Sequence, residues 1–221
     1  MGAPTHPAWI SSLLGSGKYT DFKISCQEEL FHVHKAVVCT QSPVIAAAAD
    51  GSFKESLTNT IYLDDFDVKI VKEMLDYLYM GETNSLFNPS ANDQEMNAKL
   101  DPLIRLHAIA DYLGIAGLGR DCMGSIESTF HMAWNVESFI ATTTTMLNAT
   151  QDSHVQRRLG YIAGHHAEAL MKCDGFKSLD LPREFTLEMI QSIIRKNKAS
   201  SSTPLKSTPT KRARRRVSEN E

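Results

Sequence analysis

Alternating apolar and polar positions near the start of the chain predict a β-hairpin. Residues 22–26 have the sequence Phe-Lys-Ile-Ser-Cys, and residues 31–34 have the sequence Phe-His-Val-His after a polar turn at 27–29. A period of two places the apolar side chains of each strand on one face. The pattern therefore predicts two paired strands, and the short run Ile61-Tyr-Leu63 predicts a third.

Apolar residues spaced three or four positions apart predict helices along most of the remaining chain. Ser42 is expected to cap one of these helices, with Pro43 at its first position, where the missing N–H of proline costs nothing. Gly51 and Gly81 are expected to end two helices. The predicted helical segments are 8–14, 36–39, 43–49, 71–79, 103–113, 118–130, 135–172 and 184–196.

Polar and glycine-containing segments predict where the helices are interrupted. Residues 84–100 are polar and predict a long loop, and Gly114-Ile-Ala-Gly117 predicts a break between two helices. His165 and His166 fall within a helical pattern and are expected on its polar face. Beyond Lys198 the chain is rich in Ser, Thr, Pro, Lys and Arg without apolar periodicity, which predicts disorder.

The composition is that of a globular, soluble protein. The chain has 221 residues, of which 42% are hydrophobic and 22% charged. No apolar run approaches the ~20 residues that a membrane-spanning helix needs, and the first residues lack the features of a secretory signal. Four cysteines at positions 26, 39, 122 and 173 form no C-x-x-C pair. We therefore expect reduced thiols and a location in the nucleus, the cytoplasm or both.

The net charge of −3 is unevenly distributed along the chain. Residues 198–221 carry seven Lys or Arg and two Glu, a net charge of +5, which leaves −8 on the rest of the chain. An acidic body does not suit nucleic acid, because the neutralisation of phosphates supplies most non-specific affinity. Contact with nucleic acid is expected only weakly, through the basic tail.

Six short segments, in this order, resemble the BTB/POZ domain, and most closely the stand-alone BTB proteins of filamentous fungi. These segments are Tyr19-Thr-Asp-Phe22, Phe31-His-Val-His-Lys-Ala-Val-Val38, Ser42-Pro43, Gly51-Ser-Phe-Lys-Glu55, Tyr77-Leu-Tyr-Met-Gly81 and Ala110-Asp-Tyr-Leu-Gly114. The resemblance covers residues 10–130 and implies an α+β fold, with a small β-sheet flanked by helical hairpins. It implies protein–protein interaction as the activity. Residues 131–197 would then form an α-helical C-terminal extension, followed by a disordered basic tail over 198–221.

The resemblance also implies a cullin contact at Phe53, Lys54 and Glu55. In family members that recruit a cullin scaffold to ubiquitin ligases, a hydrophobic-x-Glu triplet lies in this loop. Phe53 would enter a groove of the cullin and Glu55 would pair with a polar group, which suits an interaction hot spot. The alternative is that Phe53 packs into its own domain and Glu55 caps a neighbouring turn.

Three further positions, Asp21, His34 and Lys35, match family positions that support the fold and its dimer region, and a homodimer is therefore among the expected partners. A zinc site is the alternative for the histidines, because His32 and His34 would share one face of an ideal strand and a nearby cysteine could add a ligand. Nothing in the spacing requires a metal. The simpler interpretation is a solvent-facing or hydrogen-bonded pair of histidines.

No catalytic site, cofactor or small-molecule substrate is expected. A hydrolase would need an exposed nucleophile on a G-x-S-x-G turn or its equivalent, and the sequence has none. Gly15-Ser-Gly-Lys18 resembles the end of a phosphate-binding loop, but Ser12 and Tyr19 stand where that motif has Gly and Ser or Thr.

The tail carries two kinds of regulatory signal. The dense basic run predicts nuclear import; its residues are Lys211, Arg212, Arg214, Arg215 and Arg216. The candidate phosphorylation sites are Thr203 and Thr208, each followed by proline, and Ser218, which follows the basic run. Phosphate adds roughly −1.5 to −2 charges, which could weaken import. The sequence thus leaves two functions open, an adaptor for a cullin-based ubiquitin ligase and a nuclear scaffold that never meets a cullin.

Overall fold

The computed structural model describes residues 8–51, 54–81 and 93–201. Three strands lie in these ranges, β1 (Phe22–Cys26), β2 (Glu29–Val33) and β3 (Thr60–Tyr62). The helices of the same ranges are α1 (Ala8–Ser16), α2 (Lys35–Gln41), α3 (Pro43–Asp50), α4 (Lys54–Thr58), α5 (Val68–Met80), α6 (Asp93–Tyr112), α7 (Ala116–Met132), α8 (Val136–Ala149), α9 (Ser153–His165), α10 (Ala167–Leu170), α11 (Asp174–Lys177) and α12 (Arg183–Ser201). None of the helices in these ranges is long and apolar enough to cross a membrane.

The three strands form one sheet in the order β2-β1-β3. Strands β1 and β2 pair antiparallel, with Phe22 opposite Val33, and β3 pairs parallel to β1, with Thr60 opposite Lys23. The apolar positions of β1 are all buried, as the period of two predicts. This confirms the predicted hairpin and the predicted third strand.

The sheet packs against helices α2, α3, α5, α6 and α7 in a first hydrophobic core, and α1 packs partly buried against it. Helix α5 contributes one fully apolar face, which includes Met74, Leu75 and Leu78. It ends at Gly81, whose left-handed backbone (φ 79°) allows its N–H to donate to the carbonyl of Tyr77. The predicted face and the predicted end of this helix are both confirmed.

Ser42 joins the start of α3 to the end of α6. Its hydroxyl accepts a hydrogen bond from the N–H of Ile45 at 3.1 Å and donates one to the carbonyl of Leu113 at 2.6 Å. Pro43 is the first residue of α3 and lies against Gly114, where an added Cβ would come within 2.9 Å of the proline ring. The predicted cap is confirmed, and so is the predicted break at Gly114, which has a φ of 68°.

The prediction of a polar loop over 84–100 is wrong for residues 93–100, which form the first two turns of α6. The segment is polar, but it consists largely of residues that favour helices, and it brings Leu100 and Leu103 into the interior at helical spacing. Polarity alone was therefore not evidence for a loop in this part of the chain. The rest of the predicted loop, 84–92, lies outside the described residues.

A second hydrophobic core lies under the extension and includes side chains of α6 and α7. The predicted helix over 135–172 is divided into α8, α9 and α10, and this part of the prediction is wrong. Asn135 and Asp152 explain where α8 and α9 begin. Their side chains accept hydrogen bonds from the N–H groups of Ser138 at 2.9 Å and His154 at 2.8 Å, so each one caps a new helix.

Helices α9 and α12 run parallel and approach each other very closely. A Cβ added at Gly160 would lie 2.3 Å from the carbonyl oxygen of Phe185, and one added at Gly164 would lie 2.4 Å from Cβ of Ser192. The two glycines are one helical turn apart, so they present a single smooth face to α12. Helix α12 continues to Ser201, and the predicted disorder therefore does not begin at residue 198.

Candidate protein-interaction surfaces

His34 links the start of α2 to helix α5 through its backbone and its ring. The backbone N–H of His34 donates to the hydroxyl of Tyr79 at 2.9 Å, and ring Nδ1 lies 2.7 Å from the same oxygen. Ring Nε2 lies 2.7 Å from the carbonyl oxygen of Lys18. A carbonyl only accepts, so Nε2 carries the proton and Nδ1 accepts from Tyr79. Burial raises the pKa of the Tyr79 hydroxyl, which keeps it a donor.

Asp21 and Lys35 hold the same helix from two other directions. The carboxylate of Asp21 accepts from the backbone N–H of Lys35 at 2.7 Å, which supplies a cap from a distant part of the chain. The ammonium group of Lys35 donates to the carbonyl of Ala49 at 3.3 Å and lies 3.9 Å from Asp50. These contacts give the three family positions a role in the fold. Their role in a dimer stays a prediction.

The structure separates the residues of the hypothetical zinc site. His32 is exposed on β2, whereas His34 lies beyond the strand with hydrogen-bond partners at both ring nitrogens. The thiol of Cys26 donates to the carbonyl of Phe66 at 3.2 Å, and burial raises the pKa of this thiol. Within the described ranges, no group of three His, Cys, Asp or Glu side chains is placed to hold a metal ion.

The predicted cullin contact falls on a short exposed helix. Phe53 lies outside the described residues, and Lys54 and Glu55 form the first turn of α4, which buries none of its side chains. Within the described ranges, the carboxylate of Glu55 has neither a hydrogen bond nor an ion pair. Leu57 is 85% exposed on the same helix, and Tyr62 is 52% exposed on the strand that follows.

We call Lys54, Glu55, Leu57 and Tyr62 the α4 surface. Because β3 is parallel to β1 and starts opposite Lys23, helix α4 lies at the end of the sheet where β1 begins. The turn between β1 and β2 lies at the opposite end. The hydrophobic-x-Glu pattern located this surface, but it gave no indication of Leu57, the most exposed apolar residue there.

Two grooves form a second candidate surface, between α6 and the connection from α8 to α9. Their volumes are about 300 and 250 Å³, and His107 and Asp111 line both. Burial lowers the pKa of His107, an effect that the nearby Asp111 and Asp152 oppose. We call these cavities the α6 grooves. No motif in the sequence indicated them, because they bring together residues of the α+β part and of the extension.

Comparison with known families identifies the first part of the chain. A family model of the BTB/POZ domain matches residues 10–129. The chain belongs to the BTB/POZ family. The predicted resemblance and α+β fold are thereby confirmed, and the BTB/POZ domain is a module for protein–protein interaction. The more specific likeness to the fungal stand-alone proteins stays a prediction.

Two mouse proteins are among the curated relatives of this BTB/POZ chain. TD and POZ domain-containing protein 2 is 27% identical over 161 residues, which are 73% of this chain and 40% of the relative. TD and POZ domain-containing protein 3 is 31% identical over 114 residues, which are 52% of this chain and 27% of the relative. The chain therefore spans less than half the length of either relative.

The longer of these two alignments includes part of the extension, since 161 residues cannot fit within the 129 positions up to the end of the matched domain. Among solved structures, the BTB domain of zebrafish PATZ1 is 18% identical, with a TM-score of 0.41. That similarity covers 54% of this chain and 86% of the PATZ1 chain.

The signals of the tail are not part of the described structure. The import residues at 211–216 and the candidate phosphorylation sites Thr203, Thr208 and Ser218 all lie beyond Ser201, the last described residue. The import signal and the phosphorylation sites stay predictions.

Proposed function

We propose that this BTB/POZ chain is an adaptor that brings a second protein to a cullin scaffold. The α4 surface would bind the cullin, and the extension would select the second protein. The family supports an interaction module, and the finer assignment is supported by the sequence triplet at 53–55 together with the exposure of α4.

The single observation that carries the cullin assignment is the pairing of a free carboxylate with exposed apolar side chains. The carboxylate of Glu55 has no hydrogen bond or ion pair among the described residues, and Leu57 and Tyr62 both expose large apolar groups nearby in sequence. An apolar anchor beside one charged hydrogen bond is a common composition of interaction hot spots. The triplet pattern adds Phe53 as the aromatic anchor.

The α6 grooves support a partner site where the extension meets the BTB/POZ domain. Each groove is concave and largely apolar, and Asp111 lines both. The exposed Tyr112 lines the smaller one. An apolar depression with a few convergent polar groups is typical of binding sites. We propose that a short segment of the selected protein binds there.

Co-elution with the N-terminal helical region of the cullin from the same organism tests this function. The full chain is expected to co-elute with it, and Glu55→Lys is expected to abolish the complex. Glu28→Lys makes the same charge change at the opposite end of the sheet, where Glu28 is exposed, and should leave the complex intact. Equal loss in both variants would indicate a general charge effect and count against the α4 surface.

The basic run supports a second candidate, a nuclear scaffold that self-associates without a cullin. Five Lys or Arg residues within 211–216 are typical of an import signal. Replacing all five with Gln is expected to move a fluorescent fusion of the full chain from the nucleus to the cytoplasm. Light scattering of the full chain would test self-association. A scaffold without a cullin requires nuclear location and no co-elution with the cullin region.

A further inference from the structure

Trp134 and His166 form a flat stack between the α7–α8 connection and the end of α9. Their ring centroids are 3.6 Å apart and their planes differ by 4°. Trp134 also packs against Phe130 and Phe139. Its indole N–H is buried and has no hydrogen-bond partner among the described residues. The position of the indole is therefore set by ring packing.

Two further histidines meet beside this stack. The ring of His131, from the last turn of α7, lies edge-on to that of His165 at a centroid distance of 6.0 Å. Nδ1 of His165 lies 3.0 Å from the carbonyl of Tyr161 and 3.1 Å from the hydroxyl of Ser192 on α12. We call His131, Trp134, His165 and His166 the histidine–tryptophan cluster.

The cluster joins the last turn of α7 to α9 and α12 of the extension, because α12 also reaches it with a cation. The ammonium group of Lys196 donates to the carbonyl of His165 at 2.8 Å, which closes the exposed end of α9. Protonation of any imidazole in the cluster would therefore add a second positive charge close to Lys196.

The carboxylates near the cluster are shared with other basic side chains. Glu127 on α7 lies 3.8 Å from His131 but also pairs with Arg158 of α9. Glu168 on α10 is exposed and pairs with Lys172. Each of these two carboxylates therefore has a basic partner of its own, and the charged groups that act most on His166 are His165, Lys196 and His131.

We propose that the histidine–tryptophan cluster is a proton-sensitive contact that holds α7, α9 and α12 together at neutral pH and loosens on acidification. Protonation of His166 would place a cation close to Lys196 and to the two other imidazoles. The indole face attracts cations and favours protonation, but the surrounding positive groups and the burial of the ring oppose it. The part of α12 beyond Ser192 would be the first to separate from α9.

The direction of the pH dependence follows from the ionisation of His166. Burial, together with the neighbouring His165, Lys196 and His131, lowers the pKa of His166 from its ordinary value of 6.5. The unfolded chain therefore binds protons more readily than the folded chain. The stabilisation is fully present above about pH 6.5 and is lost as the pH falls through the range below it.

The sequence has two tryptophans, Trp9 and Trp134. The test therefore uses the full chain with Trp9→Phe, so that all tryptophan emission comes from Trp134. Between pH 7.5 and 5.0, the emission of Trp134 is expected to change with a midpoint below 6.5, and the urea midpoint is expected to fall over the same range. His166→Phe keeps a flat ring on the indole without a titrating group. We expect it to remove the change in emission and to reduce the shift of the urea midpoint by at least half.

Two controls make the test specific to the cluster. His154→Gln removes an exposed histidine from the first turn of α9 and should leave the emission titration unchanged. His131→Gln removes a neighbour that disfavours the protonation of His166 and should raise the midpoint. The NMR titration of the histidine ring protons in the wild-type chain measures the pKa of His166 even if a variant fails to fold. A pKa of 6.5 or above, an emission constant with pH, or an unaltered titration in His166→Phe would overturn the proposal.

Discussion

At the scale of single residues, the clearest structural role belongs to the hydrogen bonds between His34 and Tyr79. One hydroxyl accepts from the backbone N–H of His34 and donates to its ring, while the other ring nitrogen donates to Lys18. All these groups are buried or partly buried, so each depends on the others for its partner. The sequence predicted His34 as a family position, but nothing local to it indicated Tyr79, which lies 45 residues away.

Tyr79→Phe is expected to lower the free energy of unfolding by about 1–3 kcal/mol, because it leaves a buried N–H and a buried ring nitrogen without partners. Urea denaturation at pH 7.5 measures the change. Tyr112→Phe removes a hydroxyl from a ring that is 58% exposed and should alter stability by no more than about 0.5 kcal/mol. Equal effects of the two substitutions would mean that the His34 contacts contribute little.

At the scale of elements, local sequence signals predicted the ends of helices better than their packing. Ser42, Pro43 and Gly81 act within a few residues of themselves, so their roles were predictable. The start of α6 was missed because most residues of its first two turns are polar. The division between α8 and α9 was missed because Asp152 was not recognised as a cap. The close approach of α9 and α12 depends on two helices far apart in sequence.

Two glycine substitutions test the packing of α9 on α12. Gly164→Ala adds a methyl group 2.4 Å from Cβ of Ser192 and should destabilise the protein by about 1–3 kcal/mol. Gly124→Ala makes the same change on α7, where the added Cβ meets no atom within 4 Å apart from its own helix backbone and its chain neighbours. It should stabilise the protein by up to about 1 kcal/mol through helix propensity. Thermal unfolding gives both values, and the same sign for the two would contradict the close packing.

At the scale of the whole molecule, the chain combines a BTB/POZ domain with a helical extension that shares α6 and α7 with it. Side chains of these two helices belong to both hydrophobic cores, and the α6 grooves lie where the two parts meet. The family could be predicted because its motifs are local and ordered. The grooves could not, since they require the positions of α8 and α9 relative to the domain.

The central claim is that the α4 surface binds a cullin, and calorimetric titration of the full chain with the N-terminal helical region of that cullin tests it most directly. We predict a dissociation constant of micromolar or tighter, about −8 kcal/mol or better. Leu57→Ser should weaken it at least tenfold and Glu55→Lys should abolish it, while both variants keep the wild-type unfolding midpoint. No heat of binding from the folded wild-type chain would contradict the claim and leave the nuclear scaffold.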